Sequence, residues 1–125
     1  MMYNIQSIIV RIGDKDMNER DRALVIDFKR RLPSEMLRQV KRLIVFGSRA
    51  RGETTEDSDL DMIALVNEKK LDIEKKLEDI AYQIMENYDF KPIISLKVFE
   101  ESQFYNAINK GFSFYRHVEE EGVVI

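Results

Sequence analysis

The sequence predicts an α/β (α+β) fold, with a small mixed β-sheet and helices packed mainly on one face. Three observations lead to this class. Apolar runs at 43–46 and 60–66 have the length of buried strands, residues 71–88 carry an apolar stripe at helical spacing, and residues 93–99 alternate between apolar and polar side chains. Helices and strands that follow one another in this way pack as a sheet covered by helices.

The first third of the chain reads as mainly helical. Residues 1–15 are compatible with a helix or a short strand, and we favour a helix. Asp16 followed by Glu19 predicts a capping box for a helix that ends before Pro33, because proline disfavours a helical residue before it. The apolar stripe of that helix consists of Leu24, Val25, Phe28 and Leu32. Residues 34–40 predict one or two further helical turns.

The middle of the chain predicts two strands joined by a polar crossing. Residues 43–46 form a buried strand that ends at Gly47, residues 48–51 begin a short helix, and Gly52 ends it. Residues 53–58 form a polar loop. Residues 60–66 are apolar on both faces, which is typical of a central strand covered on both sides.

The last third predicts a helix, a strand and two further helices. Residues 71–88 form the helix, and residues 93–99 form a strand with 94, 96 and 98 in the core and 95 and 97 on the polar face. Residues 100–110 form a helix that ends at Gly111, and residues 112–120 form a short one before a final apolar segment, 123–125. The length of 125 residues predicts one domain over 1–125.

Composition narrows the possible functions. A net charge of −3 gives no overall basic surface, so we expect no bulk nucleic-acid binding. The absence of cysteine excludes disulfides and thiolate sites, and His117 alone is insufficient for a histidine-based metal site or triad. No apolar run approaches the roughly 18 residues of a membrane span, so we expect no membrane partner and a cytoplasmic location.

The chemistry is concentrated in one spacing: Gly47-Ser48, ten residues, then Asp59-x-Asp61. On an extended chain the two aspartates point to the same side, and such a pair suits a hard cation such as Mg²⁺. The Gly47-Ser48 turn before a helix start can present backbone N–H groups to a phosphate. At average usage this spacing arises by chance in roughly one chain of this size in several hundred, so we treat it as functional.

Arg49 and Arg51 follow the turn closely enough to neutralise phosphates. The planar guanidinium fork of arginine matches phosphate geometry. The competing interpretation is that both arginines lie on the solvent-exposed face of a helical turn.

The stretch Phe46-Gly-Ser-Arg-Ala-Arg-Gly52 followed by Ser58-Asp-Leu-Asp-Met62 resembles the signature of the minimal nucleotidyltransferases, a branch of the DNA polymerase beta superfamily. The resemblance is tightest over residues 43–66. It implies a polymerase-beta-like fold, phosphate binding by Gly47 and Ser48, and one or two Mg²⁺ ions on Asp59 and Asp61. It also implies transfer of AMP from ATP to a hydroxyl. Many such small proteins accompany a helical partner of the HEPN type, and some are antitoxins that adenylylate this partner on tyrosine.

One position departs from the family pattern. Active members usually carry a third carboxylate on the next strand, and Ser95 occupies that place here. Serine is a weak metal ligand and does not ionise, and loss of a general base costs roughly 10²–10⁴ in rate. Lys97, on the same face, is a candidate phosphate contact, and Glu100 and Glu101 are candidate substitutes for the carboxylate.

Three functions therefore remain open from the sequence. The first is an adenylyltransferase that modifies a HEPN-type toxin, with Asp59, Asp61 and Ser95 as its catalytic positions. The second is an antitoxin that binds nucleotide or partner without turnover. The third is a small-molecule nucleotidyltransferase that completes its site by forming a homo-oligomer.

Overall fold

A computed structural model of the protein describes residues 17–53 and 57–125. The predicted element in 1–15 and the predicted cap Asp16 lie outside these residues. The first described helix, α1, spans Glu19–Arg30, and its N-cap is Asn18, whose Oδ1 accepts a hydrogen bond from the Asp21 N–H at 2.8 Å. The apolar stripe of α1 is buried, as its spacing predicts. A second helix, α2, spans Ser34–Gln39 directly after Pro33.

Within the described residues, four strands form one mixed sheet. They are β1 (Val40–Phe46), β2 (Leu60–Val66), β3 (Ile94–Glu100) and β4 (Val123–Val124), in the spatial order β3-β2-β1-β4. The pairs β1–β2 and β1–β4 are antiparallel, and β2–β3 is parallel. The parallel pair needs a crossover, which the helix α3 (Leu71–Asn87) supplies. β1 begins three residues before the predicted strand, and the final apolar segment contributes an edge strand.

Helices cover both faces of the sheet, and the larger core lies on one of them. On that face α1 and α3 pack against alternate residues of β1 and β2, including Leu43, Val45, Met62 and Ala64. The smaller core lies on the other face, beneath α4 (Glu101–Asn109) and α5 (Ser113–Glu121). The predicted mixed α/β fold is confirmed. None of the helices within residues 17–53 and 57–125 is both long and apolar enough to cross a membrane.

The predicted short helix at 48–51 is wrong, because the chain makes a compact turn there. Its hydrogen bonds run three residues back, from Ala50 N–H to the Gly47 carbonyl at 3.1 Å and from Arg51 N–H to the Ser48 carbonyl at 3.1 Å. At the end of the turn the Glu53 N–H donates to the Ser48 carbonyl at 2.9 Å, and Gly52 adopts a φ of 76°. This is the Schellman pattern that ends helices, and here it follows one turn only.

Candidate active site

Asp61 is the second residue of the strand β2, and it lies between the strands β1 and β3. It pairs with Phe46 of β1 on one side and with Ser95 of β3 on the other. Paired residues in adjacent strands share a face of the sheet, so Phe46, Asp61 and Ser95 project together. This face continues into the smaller core, where Phe114 of α5 meets the Phe46 ring edge-on at a centroid distance of 5.7 Å. The site therefore lies at the edge of the sheet where β1 ends and β2 and β3 begin. Aromatic rings cover the neighbouring part of the same face.

Gly47 brings the backbone of the turn against the Asp61 carboxylate. Its φ of 80° lies in the left-handed region, and a Cβ built on it would lie 2.8 Å from Asp61 Oδ2. A side chain at this position would therefore collide with the carboxylate as well as strain the backbone. Only glycine allows both the turn and the close approach, which explains why the motif begins with this residue.

Burial and two neighbouring charges shift the pKa of Asp61, and they do not all act in the same direction. Burial raises the pKa of Asp61 above its usual value, the positive charge of Lys97 lowers it, and the negative charge of Asp59 raises it again. Lys97 lies two residues beyond Ser95 on β3 and pairs with Ile63, so it shares the face of Asp61, as predicted. A partly desolvated carboxylate beside a second one is an environment that a bound cation would stabilise.

Asp59 lies in the exposed segment just before β2, and the start of this strand is fixed by a hydrogen bond from Leu60 N–H to the Ile93 carbonyl at 2.8 Å. Among the described residues no group of three or more histidine, cysteine, aspartate or glutamate side chains has the arrangement of a metal site. Mg²⁺, however, is usually held by one or two carboxylates together with substrate phosphates and water. The pair Asp59 and Asp61 fits that donor set once a nucleotide supplies the phosphate oxygens.

Ser48 offers the turn's polar groups to a ligand. In the part of the chain that the structure describes, neither its hydroxyl nor its backbone N–H donates a hydrogen bond. The residue is half-buried and follows Gly47, which approaches the Asp61 carboxylate. Among the described residues both donors therefore remain available to a ligand. The predicted phosphate-binding role of Gly47 and Ser48 stays a prediction that this geometry favours.

Arg49 points into the protein. Its Nη1 lies 2.9 and 3.0 Å from the two carboxylate oxygens of Asp21, which is fully buried on α1. Its Nε donates to the Ser58 carbonyl at 2.8 Å. Arg49 thus joins helix α1, the turn and the segment that leads into Asp59. The Arg49 guanidinium has these protein partners because a buried carboxylate lies within its reach, and its predicted contact with the nucleotide stays a prediction.

Arg51, in contrast, lies at the surface of the turn. Its Nε donates to Glu53 at 3.0 Å, and its Nη1 lies 3.4 Å from Glu121 of α5, which also contacts His117. Hydrogen bonding to Glu53 raises the pKa of Arg51. These partners are partly or largely exposed, and a phosphate can compete for such a group. The predicted nucleotide contact of Arg51 therefore stays a prediction.

The family model for the nucleotidyltransferase domain matches residues 25–124, which include the turn, the aspartate pair and all four strands. This chain belongs to the nucleotidyltransferase family. Two proteins of Methanocaldococcus jannaschii, both named "Putative protein adenylyltransferase", are similar to it. One is 34% identical over 109 residues, which are 87% of this chain and 99% of the relative. The other is 35% identical over 82 residues, which are 63% of this chain and 83% of the relative.

Neither Glu100 nor Glu101, the two predicted substitutes for the third carboxylate, lies near Ser95. Ser95 lies directly beside Asp61, as the alternation of β3 predicts. Glu100 pairs with Val66 at the opposite end of the strands, five residues from Asp61, or about 16 Å at 3.3 Å per residue. Its carboxylate accepts a hydrogen bond from the Lys69 N–H there. Glu101 begins helix α4, beyond that end of β3. Neither glutamate lies at the aspartate pair.

Sequence reasoning missed two parts of this nucleotidyltransferase site. Asp21 reads as an ordinary acidic residue in the first turn of a helix, and no local pattern links it to Arg49, 28 residues away. The segment before β3 reads as an exit loop, yet Phe90, Lys91 and Ile93 line a cavity that reaches Asp59. The sequence signal for this cavity is the presence of an aromatic and an apolar residue, Phe90 and Ile93, in a loop.

Proposed function

We propose that this nucleotidyltransferase transfers AMP from ATP to a tyrosine hydroxyl of a HEPN-type helical toxin and thereby acts as its antitoxin. The observation that carries the proposal is the contact between Gly47 and the Asp61 carboxylate, beside the exposed Asp59. This contact brings a phosphate-binding turn and a cation-binding pair together. The two relatives named as protein adenylyltransferases support a protein as the acceptor.

The reaction makes one bond and breaks one. The tyrosine oxygen attacks the α-phosphorus of ATP, the bond to the pyrophosphate oxygen breaks, and the phenolic proton is lost to solvent or a base. The products are an AMP–tyrosine phosphodiester and pyrophosphate. Asp59 and Asp61 would hold Mg²⁺, which when bound neutralises charge on the transferred phosphoryl group and the leaving oxygen. Ser48 and its turn orient the phosphates, and the buried pair of Arg49 and Asp21 holds the turn in place.

Ser95 bears on the choice of acceptor. A carboxylate at its position would remove the proton of a weakly acidic hydroxyl, and serine does not. The phenol of tyrosine has a pKa near 10, against 15.7 for water, so it needs much less help from a base. Tyrosine is therefore an acceptor suited to a site without the third carboxylate. Because the donor is ATP, we also propose that the reaction takes place in the cytoplasm.

The test is transfer of label from ATP labelled at the α-phosphate to a HEPN-type protein encoded beside this one, with Mg²⁺ present. We expect label on tyrosine and release of pyrophosphate, and parallel reactions with the other three nucleotides give the base preference. Asp59→Asn and Asp61→Asn are expected to reduce transfer by about 10²-fold or more, since each removes a cation ligand. Asp79→Asn, an exposed carboxylate on α3, is the matched control. Absence of transfer from the wild type under all these conditions would contradict the proposal.

Ser95 beside Asp61 also favours a second candidate, an antitoxin that binds nucleotide and partner without turnover. Two variants separate the candidates. If the Asp59→Asn/Asp61→Asn double variant still neutralises the partner in cells, catalysis is unnecessary. If Ser95→Asp creates transfer in a protein that otherwise shows none, the wild type is a binding module. Loss of neutralisation in the double variant, with transfer by the wild type, supports the enzyme.

A further inference from the structure

A cavity of about 340 Å³ lies against Asp59 on the side of β3. Its walls come from two segments, residues 57–59 before β2 and residues 90–93 before β3. The first segment contributes polar and acidic side chains, and the second contributes Phe90, Lys91 and Ile93. The volume is within the range of sites that enclose a small ligand group, about 300–1,000 Å³. The phosphate turn and the sheet face described above make no use of this cavity.

The loop that forms the apolar wall is held in a strained shape. Asp89 and Phe90 have φ values of 56° and 55°, and a bulky side chain rarely adopts this left-handed conformation. The Phe90 N–H donates to the Met85 carbonyl at 2.8 Å, and the Arg20 guanidinium donates to the Tyr88 and Lys91 carbonyls at 3.2 Å. Such strain persists only where surrounding contacts fix it.

This fixed loop presents apolar side chains outward. Phe90 is 40% exposed and Ile93 is 44% exposed. The Phe90 ring is supported from behind by an edge-to-face contact with Tyr82 at 5.7 Å. An exposed aromatic ring in a well-anchored loop beside a reactive site is a surface suited to hold another ring.

The geometry of transfer assigns this side of the site to the acceptor. Attacking and leaving oxygens lie roughly in line through the phosphorus in phosphoryl transfer. The leaving pyrophosphate is expected on the turn of Gly47 and Ser48, which follows β1, and the aspartate pair lies at the start of β2, with Asp59 just before the strand and Asp61 within it. In the strand order β3-β2-β1 the attacking oxygen must then approach from β3. The cavity opens on that side and includes Asp59 in its wall.

We propose that the cavity beside Asp59 is the acceptor pocket, and that it receives the side chain of the tyrosine that is modified. The ring of this tyrosine packs between Phe90 and Ile93, and its hydroxyl points toward Asp59. Lys91 and Asp57 form a polar rim for the flanking peptide. This inference rests on the proposed function, because it identifies the binding site of the acceptor in that reaction.

The first test measures binding alone, with N-acetyl-L-tyrosine amide as the probe. In NMR spectra of the wild type, this compound is expected to shift the signals of residues 57–59 and 90–93, and N-acetyl-L-alanine amide is not. Phe90→Gly removes the ring and keeps the backbone, since glycine accepts a positive φ without strain. It is expected to abolish the shifts. If the probe shifts neither segment, or if adenosine shifts them in its place, the assignment is overturned.

The second test compares two Michaelis constants in the transfer reaction. Phe90→Gly and Ile93→Ser are expected to raise KM for the partner protein about tenfold and to leave KM for ATP unchanged. Phe112→Ala removes another exposed ring, between α4 and α5, and is the control; Phe112 is 55% exposed, against 40% for Phe90. An unchanged KM for the partner in both variants, or a raised KM for ATP alone, overturns the pocket.

The two tests distinguish failure of the pocket assignment from failure of the proposed function. Tyrosine amide that binds at residues 90–93 in a protein without any transfer contradicts the proposed function and supports the pocket. Efficient transfer that does not respond to Phe90→Gly supports the proposed function and overturns the pocket.

Discussion

The turn after β1 and the loop before β3 approach the aspartate pair from opposite sides of β2, and they are anchored differently. The turn is tied down by a buried ion pair, with the guanidinium of Arg49 between Asp21 and the Ser58 carbonyl. The loop is held by exposed contacts of Arg20 with backbone carbonyls and by a hydrogen bond from Tyr88 to Asp27. The first region buries the ion pair that anchors it, and the second exposes its apolar side chains.

This difference fits two different tasks. A turn that orients phosphates beside two carboxylates gains from rigidity, because an error of about 1 Å in such a site is costly to the rate. A surface that receives a protein acceptor has to be exposed in the free enzyme. The comparison leads us to expect that the turn tolerates few changes, and that the loop tolerates changes that affect only acceptor binding.

The largest effect is expected where the turn is tied to α1. Asp21→Ala leaves the Arg49 guanidinium charged and buried without its carboxylate, and such a loss costs about 3–5 kcal/mol. The double variant Asp21→Leu/Arg49→Met removes both charges and is expected to lose less than half of that. The measurement is the free energy of unfolding by urea, followed by circular dichroism.

An exposed ion pair serves as the control for Asp21→Ala. Glu35 and Lys76 lie 3.3 Å apart with side chains more than half exposed, so Glu35→Ala is expected to cost less than about 1 kcal/mol. If Asp21→Ala costs no more than Glu35→Ala, the anchoring role of the buried pair is wrong.

The next largest effect is expected at Gly47. Comparison with a control glycine separates the effect of backbone strain from that of a collision with the Asp61 carboxylate. Gly47→Ala is expected to lose about 1–2 kcal/mol of stability from its φ of 80°, and to lose transfer because the new Cβ displaces the Asp61 carboxylate. Gly111→Ala is the matched control: its φ is 83°, and nothing lies within 4 Å of the new Cβ. Equal loss of transfer in both variants would show that strain alone explains the effect.

The sequence was informative where side-chain periodicity is strong. Residues 60–66, 71–88 and 93–99 have clear patterns, and β2, α3 and β3 coincide with them within one residue at either end. β1 was predicted too short because its first residues are polar or only half-buried. β4 has two residues and exists only through its pairing with Ile44 and Val45, so no local pattern could predict it.

The site divides in the same way. The shared face of Asp61 and Ser95 follows from the period of two along a strand, and the register confirms it. The role of Arg49 depends on a carboxylate 28 residues earlier, which only the tertiary structure brings near. The cavity at Phe90 depends equally on contact between two distant segments, so the sequence could offer no more than an exposed aromatic residue.

A smaller effect is expected where the loop is tied to α1. Tyr88→Phe removes the hydrogen bond to the Asp27 carboxylate, 2.6 Å long, at a cost of about 1 kcal/mol. This bond raises the pKa of Tyr88, so its stabilisation is present below the ordinary tyrosine pKa near 10 and is lost as the pH rises through the raised value. Urea unfolding at pH 7 and above pH 10 measures this. Tyr82→Phe, at an exposed position of α3, should change stability at neither pH.

The smallest effect is expected at Asp61, which lies between the two regions and is only half-buried. Because burial raises its folded-state pKa above the unfolded value, the native state binds this proton more tightly than the unfolded state does. The ionised carboxylate therefore destabilises the fold above the raised pKa, and this cost disappears below the ordinary aspartate pKa near 3.9. Without divalent cations, Asp61→Asn should melt slightly above the wild type at pH 7, and the difference should shrink as the pH falls. Asp79→Asn should show no such trend. If Asp61→Asn instead melts below the wild type at pH 7, the Asp61 carboxylate stabilises the fold. The active site then carries no stability cost at this residue.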